Sequence, residues 1–267
     1  MGADIKKLRT RIKSVDSTLH LTKAMELVAS SKIRKANMLM NSGREYFKAV
    51  CETVDELTSS RECEKSPYMQ KRDGNRIRLI VIAGDRGLAG GYNANVMRIA
   101  KEYPDAEFIA IGKRACDRFS QDVKLVEDYT FSDAKSLADT LCKDFADGEF
   151  DCLGIINTKY ISMMSQEAQL NWILPLEKNV NKTNTSIVFE PDELSVLNAA
   201  IPEYVAGVLI ACVRESFASE VAARRVAMDS AGKNAQQMID ELGIAYNRAR
   251  QGAITQEITE IVAGSGL

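Results

Sequence analysis

The chain has 267 residues, of which 45% are hydrophobic and 27% charged, and its formal net charge is −2. The length allows one large domain or two modest ones, and the small net charge argues against a general nucleic-acid binder. No stretch approaches the roughly 18 to 20 apolar residues that a membrane span needs, so we expect no direct membrane insertion. The six cysteines form no Cys-x-x-Cys pair and His20 is the only histidine, which argues against a zinc site.

The N-terminal segment has the pattern of a long helix. Residues 3 to about 58 hold no proline and a single glycine, Gly43. Apolar residues recur in alternating steps of three and four, at Ile5, Leu8, Ile12, Val15 and Leu19. This spacing predicts a coiled-coil seam, which then shifts to Met25, Val28 and Ile33, as a stutter would make it do. We expect one helix, the domain 1–58, which needs a partner helix.

The C-terminal segment supplies that partner. From about Pro202 to Ala263 there is no internal proline, and small apolar residues recur at helical spacing. Pro202 is suited to the start of a helix. A helical bundle is the alternative, but the sequence offers no third long helix. We therefore predict an antiparallel two-helix coiled coil, in which the domain 202–267 pairs with 1–58.

The middle of the chain, 76–191, alternates between strand and helix patterns. Short apolar runs ending in glycine are typical of buried parallel strands. Six strands are predicted, at 78–84, 107–112, 123–129, 151–160, 169–176 and 185–191. Alternating strands and helices indicate an open α/β sheet. The predicted fold class is α/β: a long antiparallel coiled coil of N- and C-terminal helices with an inserted Rossmann-like open α/β domain.

The segment "GDRGLAGGYNANV" at 84–96 follows the first predicted strand. Its glycines at 84, 87, 90 and 91 miss the second glycine of the dinucleotide fingerprint, and it has no lysine for the Walker pattern. Three interpretations stay open: a close-packed strand-to-helix turn, a contact surface that presents Asp85 and Arg86, and a nucleotide site. No Gly-x-Ser-x-Gly elbow or catalytic triad accompanies the loop. We therefore expect no catalytic site and no cofactor.

Three blocks of the sequence resemble the γ subunit of F-type ATP synthases, the central rotor shaft. The first is "IKKLRTRIKSVDSTLHLTKAMELVASSKIRKA" at 5–36, with "LTKAMELVA" close to the family's core motif. The second is the loop at 84–91, where the family usually has Asp-Arg-Gly-Leu-Cys-Gly-Gly. The third is "YNRARQGAITQEITEIVAGSGL" at 246–267. The chain departs from the family pattern at His20, Ala89 and Ser265, and no regulatory insertion with a cysteine pair is visible, which favours the bacterial type.

The resemblance implies a rotating shaft that does no chemistry itself. It would turn inside a ring of alternating α and β subunits and couple proton or sodium flow to ATP synthesis and hydrolysis on the β subunits. The implied partners are the α, β and ε subunits and the membrane c-ring, at the cytoplasmic face of the bacterial plasma membrane as a peripheral protein. Two alternatives remain: a coiled-coil scaffold of another assembly, and a nucleotide-binding α/β enzyme.

The resemblance also implies roles for individual residues. Contacts with β subunits are expected at Lys23, Met25, Asp85, Arg86, Arg250, Gln251, Thr255 and Glu257. The foot that meets the ring and ε is expected at Phe189 and Glu190, and the bearing tip at Ile261, Val262 and Leu267. Further basic residues are candidates to steer towards acidic levers of the β subunits: Lys32, Arg34, Lys35 and Arg225.

Overall fold

A computed structural model of the chain describes residues 2–72, 74–178 and 188–264. It contains six α-helices and four strands in these ranges. The helices are α1 (Gly2–Ser42), α2 (Arg44–Leu57), α3 (Tyr92–Ala100), α4 (Lys113–Phe119), α5 (Phe131–Asp147) and α6 (Glu193–Gly264). The strands are β1 (Ile77–Ile82), β2 (Glu107–Ile111), β3 (Cys152–Tyr160) and β4 (Gln166–Leu174).

The chain forms two compact units, and both long helices contribute to each of them. One unit comprises Met1–Ser30 and Arg224–Leu267, and the other comprises Ser31–Ala223. In the first unit, Gly232 of α6 lies beside Leu19 and Thr22 of α1. Gly232 is a small residue at the contact between the two helices. Small residues at this contact agree with the pattern of small residues in the C-terminal segment.

The second unit has the same two ends of the chain side by side. Ser42 lies next to Arg214, and Phe47 lies against Gly207. Farther on, Ser60 donates a hydrogen bond to Glu193. From Ser42 to Ser60 the residue numbers rise, while those of their partners on α6 fall from Arg214 to Glu193. The predicted antiparallel arrangement is therefore confirmed.

The burial of α1 repeats every three and four residues, as predicted, but without a stutter. The predicted seam from Ile5 to Leu19 is less exposed than its neighbours. The same alternation continues through Thr22, Ala29, Ile33 and Ala36, all of which are buried. Val28, which we expected in the seam, is 54% exposed. Thr22 and Ala29 occupy the buried heptad positions here. Because the predicted seam was built from large apolar residues, it left these two positions out and shifted to Met25 and Val28.

The N-terminal helix is broken at its glycine. We predicted one helix over 3–58, but α1 ends at Ser42 and α2 begins at Arg44, with Gly43 as its N-cap residue. Glycine weakens a helix interior. A side chain on Gly43 would also meet the guanidinium of Arg214, at 2.9 Å from a Cβ atom.

The last helix begins earlier than predicted. It starts at Glu193 and contains Pro202 in its interior. The Asp192 carboxylate accepts hydrogen bonds from the backbone N–H and hydroxyl of Ser195, at 2.8 and 2.7 Å, and so caps the helix. Because Asp192 caps the helix ten residues before Pro202, the expectation that Pro202 opens the helix was wrong.

The sheet lies in the second unit and has the strand order β2-β1-β3-β4. β1 pairs in parallel with β2 and with β3, while β3 and β4 are antiparallel. β1 is buried over Leu79–Ile82. Because β1 lies between β2 and β3 in the sheet, the loop that follows its carboxyl end starts between these two strands. The mixed sheet, whose strands lie between the two long helices in the sequence, confirms the predicted fold class.

Two of the six predicted strands differ. Residues 123–125 are exposed and non-helical rather than strand, although the Lys124 carbonyl accepts a hydrogen bond from Gly112 N–H at 2.7 Å. This hydrogen bond joins residues 123–125 to the end of β2, but the segment has no strand assignment. Of the predicted strand 185–191, the first three residues lie outside the described residues, and 188–191 are not strand.

Our expectation that no stretch meets the length and composition of a membrane span also needs correction. Among the described residues, α6 alone contains a window long and apolar enough to cross a membrane, and half of that window is buried inside the protein. A core helix that packs against a sheet passes the same test.

Candidate functional site

The glycine-rich segment forms a loop between β1 and α3, which we call the 84–91 loop. The N–H of Gly84 donates to Asn93 Oδ1 at 2.9 Å. The side-chain amide of Asn93 donates in turn to the carbonyl of Arg86 at 3.3 Å. The first turn of α3 therefore holds the beginning of the loop.

A carboxylate of α6 lies directly under the loop. Glu220 is 2% exposed, and it accepts hydrogen bonds from the backbone N–H groups of Asp85 and Arg86, at 3.4 and 3.3 Å. A Cβ atom on Gly84 would lie 2.7 Å from Glu220 Cδ. A glycine at this position is what lets the buried carboxylate approach the backbone so closely.

The side chain of Asp85 turns inwards. Its carboxylate accepts three backbone N–H groups: Lys113 at 3.2 Å, Val126 at 3.0 Å and Glu127 at 3.1 Å. It thus connects the 84–91 loop to the start of α4 and to the segment that follows α4. Asp85 has a local structural task that accounts for its carboxylate.

Glu127 connects this segment to α1. Its carboxylate lies 2.6 Å from Lys32 Nζ. The hydrogen bond from Lys32 holds the pKa of Glu127 below its ordinary value, although burial opposes the shift, and the charges of Arg86 and Lys35 also lower it. Three basic residues therefore act on one carboxylate beside the 84–91 loop.

These contacts bear on the three interpretations of the loop. In a phosphate-binding loop, successive backbone N–H groups point at the anion. Here the N–H groups of Asp85 and Arg86 already serve Glu220, and a phosphate would have to displace a buried group of the same charge sign. The geometry favours a fixed turn over a nucleotide site.

The tip of the loop presents residues to solvent. Arg86 is exposed, and Leu88 is 60% exposed with a φ of 61°. A non-glycine residue in this left-handed region costs about 1 kcal/mol or more. The exposed side chain of Leu88 is not buried in a way that would offset this cost. Ala89, by contrast, is 2% exposed. Sequence reasoning missed both Leu88 and Glu220; the apolar residue within a glycine run was a signal for Leu88.

A second set of polar contacts joins α6 to β3. The backbone N–H of Thr158 donates to the Ser216 hydroxyl, and the Ser219 hydroxyl donates to the carbonyl of Thr158, both at 3.2 Å. Tyr160 N–H donates to Glu215 at 3.2 Å, and burial raises the pKa of Glu215. The buried hydroxyl of Tyr92 donates to the carbonyl of Ser216 at 3.0 Å. One stretch of α6 is therefore bonded to the sheet and to the 84–91 loop.

The remaining predicted contact residues lie on the two helices of the first unit. Lys23 is exposed and Met25 half-buried, while Arg250, Gln251, Thr255 and Glu257 are all exposed. α1 lies beside Gly232 of α6 at Leu19 and Thr22. At 1.5 Å per residue, Arg250 is about 27 Å farther along α6. The two groups are at different levels, because the helices are antiparallel.

Two other expectations, the foot and the bearing tip, fall at the ends of α6. Phe189 is half-buried and Glu190 exposed, just before the helix. Ile261 and Val262 are 70% and 62% exposed, and Leu267 lies outside the described residues.

Of the basic candidates, Arg34 and Lys35 are exposed, Lys32 is in the ion pair with Glu127, and Arg225 is half-buried.

Comparisons with known proteins point to one family. The family model described as ATP synthase matches residues 4–266. An ATP synthase gamma chain of Ruminococcus albus is 41% identical over 98% of this chain and 98% of its own length. The sodium-ion-specific gamma chain of Acetobacterium woodii is 36% identical over 99% of both chains.

Solved structures show the same fold. A chain in the OSCP/F1/c-ring structure of the Euglena gracilis mitochondrial ATP synthase has a TM-score of 0.67 at 16% identity, covering 100% of this chain and 97% of that one. A chain in the central stalk/c-ring structure of the Tetrahymena thermophila enzyme has a TM-score of 0.58 at 22% identity, covering 79% and 99%. With full-length relatives above one-third identity and a family model that spans nearly every residue, the chain belongs to the ATP synthase gamma-chain family.

Proposed function

We propose that this chain is the central-stalk γ subunit of an F-type ATP synthase. It rotates inside the ring of alternating α and β subunits and couples proton or sodium flow to ATP synthesis and hydrolysis on the β subunits. The observation that carries this proposal is the 41% identity, over 98% of both chains, to a protein named ATP synthase gamma chain.

The architecture supports a mechanical role. α6 is one helix of 72 residues, and its segment from Glu215 to Glu220 is hydrogen-bonded to β3 and to the 84–91 loop. A force applied to the sheet therefore reaches the helix through several bonds at once. The orientation of the shaft acts as an effector, because it makes different contacts with each β subunit and so favours different states of each.

We further propose the contacts of this shaft. Arg86, with Lys32 and Lys35 around Glu127, faces acidic levers of the β subunits, and Asp85 keeps that loop in place. The exposed polar group on α6 forms the catch for a β-subunit loop: Arg250, Gln251, Thr255 and Glu257. Lys23 and Met25 contact β at another level, Phe189 and Glu190 meet the ε subunit and the c-ring, and Ile261, Val262 and Leu267 form the bearing tip.

The proposal includes the organisation and location of the chain. The arms 1–58 and 202–267 pair with each other, the foot domain 76–191 is inserted between them in the sequence, and the protein has no catalytic site and no cofactor of its own. It is a peripheral protein on the cytoplasmic face of the bacterial plasma membrane and does not insert into the bilayer.

Co-purification tests this function. A tagged chain pulled from membranes should bring α, β and ε subunits with it, and the isolated chain should hydrolyse no ATP. A variant without the last twelve residues should assemble or couple poorly, whereas the tagged full chain is the control. ATPase activity of the chain alone, or a pull-down without α and β, would overturn the proposal.

The nucleotide-binding enzyme is the competing function, and calorimetry separates the two. ATP or NAD titrated to millimolar concentration into the full chain should give no saturable heat, because Glu220 already occupies the loop N–H groups. Saturable binding that is lost on substitution of Arg86 would favour the enzyme.

A further inference from the structure

A buried carboxylate under the 84–91 loop has a consequence beyond the fold. Burial of a carboxylate is costly unless its oxygens accept hydrogen bonds. Glu220 is 2% exposed and receives the N–H groups of two successive residues, Asp85 and Arg86. Two successive N–H groups directed at one anion are the arrangement by which backbones bind phosphate and other free anions. In this chain, the anion is covalently part of α6.

The space around the carboxylate is shaped to receive it. Gly84 has no side chain, and a Cβ atom there would lie 2.7 Å from Cδ and 3.0 Å from Cγ and Oε1 of Glu220. Gly84 N–H is bonded to Asn93, which also holds the carbonyl of Arg86. The backbone of Arg86 is therefore fixed through its N–H by α6 and through its carbonyl by α3.

We propose that Glu220 is a tethered anion that fixes the 84–91 loop to α6 and thereby positions Arg86 for contact with the catalytic ring. The second part rests on the function proposed above. Glu220 touches no substrate; it is a positioning residue that acts through the backbone of Arg86. Rotation of α6 then carries the loop with it, because the loop is bonded to the helix itself and not only to the sheet.

Removal of the tether should leave an anion site that a free anion can fill. In Glu220→Ala, the N–H groups of Asp85 and Arg86 lose a charged acceptor, and the truncated side chain leaves room for formate. Glu220→Gln keeps the volume but replaces a carboxylate oxygen by an amide group, so formate cannot enter. A residue that serves only packing would show the opposite order, with Gln harmless and Ala not rescued.

The test uses the assembled ATPase in membrane vesicles and, in parallel, amide hydrogen exchange on the full chain. In Glu220→Ala, the amides of Asp85 and Arg86 should exchange roughly tenfold faster, and the number of coupling ions (protons or sodium ions, whichever wild type pumps) transported per ATP hydrolysed should fall. Formate should restore both, relative to chloride at equal ionic strength. Glu220→Gln should show both defects without rescue. Glu241→Ala, an exposed glutamate on the same helix, is the control and should show neither.

Unchanged exchange at Asp85 and Arg86 in both Glu220 variants would overturn the tether. Faster exchange with an unchanged pumping ratio would overturn the positioning of Arg86. A failure of the γ-subunit function itself has a different signature, because wild-type chain would then not assemble with α and β, while the exchange and formate measurements on the full chain would still decide the tether. If Glu220→Ala does not fold, the exchange of the isosteric Glu220→Gln decides the same question.

Discussion

The Lys32 ammonium on α1 lies 2.7 and 2.6 Å from the two carboxylate oxygens of Glu127, a residue 95 positions away in the sequence. Both side chains are less than one-third exposed. The backbone N–H of Glu127 is held by Asp85, whose own N–H is held by Glu220. Through this chain of contacts, α1 and α6 are connected by way of the 84–91 loop.

The Lys32–Glu127 pair should stabilise the fold measurably. In a double-mutant cycle of Lys32→Met and Glu127→Gln, we expect a coupling energy of about 1 kcal/mol, at the upper end for partly exposed pairs. Urea-induced unfolding measures it. The exposed pair of Lys48 and Glu52 on α2 is the control and should give less. Equal coupling in the two pairs would contradict the structural importance of the first.

Gly112 should tolerate no side chain. Its φ is 91°, and a Cβ atom would collide with the carbonyl oxygen of Ala83. We expect Gly112→Ala to cost roughly 3 kcal/mol of unfolding free energy. Gly91→Ala is the matched control, because the nearest atom to its Cβ is 3.7 Å away and its φ is −81°. Similar melting temperatures for the two variants would contradict the left-handed backbone conformation of Gly112.

The contact between Gly84 and Glu220 should be visible as non-additivity. Gly84→Ala forces a methyl group against a buried carboxyl that cannot swing into solvent, and should cost about 2 kcal/mol. Glu220→Ala removes the clash, so the double variant should be more stable than the sum of the single effects predicts, by about 1 kcal/mol. Thermal or urea unfolding of the four proteins measures this. Strict additivity would refute the contact.

Asp151 should contribute stability that depends on pH. Its side chain is 2% exposed and accepts hydrogen bonds from the backbone and guanidinium of Arg76. The Arg76 side chain holds the pKa of Asp151 below its ordinary value. A depressed folded-state pKa means that the contribution is present above the unfolded pKa of about 3.9 and is lost as the pH falls through the folded-state pKa.

Asp151→Asn should therefore melt below wild type at neutral pH, with a difference that shrinks below about pH 4. Melting temperature measured against pH is the readout. Asp139→Asn is the control, since Asp139 is more exposed and pairs along its own helix with Lys135, at 3.0 Å. A difference between wild type and Asp151→Asn that grows on acidification would have the wrong sign.

The tip of the 84–91 loop should react at Leu88 and not at Ala89. Leu88→Cys, at a 60% exposed position, should be labelled by a maleimide well above the background of native cysteines, whereas Ala89→Cys, 2% exposed, should not. In the assembled complex, we expect Leu88→Cys to cross-link to the C-terminal region of β. Strong labelling of Ala89→Cys would mean that the loop has another conformation.

Much of the fold follows from local signals. The alternating spacing from Ile5 to Leu19 predicts the buried face of α1, since a helix with apolar residues every three and four positions must cover that stripe. The runs at Leu79 and Phe108 predict β1 and β2, because short continuous apolar runs before a glycine are typical of parallel strands, although only β1 is an inner strand of the sheet. The start of α6 could not be read from Pro202, since the side chain of Asp192 supplies the cap.

The candidate site divides in the same way. The sequence by itself determined that a turn follows β1, that its glycines fit neither phosphate pattern, and that Asp85 and Arg86 are placed on it. Only the tertiary structure decided that Glu220, 136 residues beyond Gly84, lies beneath that turn, that Asp85 faces inwards, and that Leu88 faces outwards. The reason is physical: a turn is specified by neighbouring residues, whereas the partner of a backbone N–H group depends on which distant element packs against it.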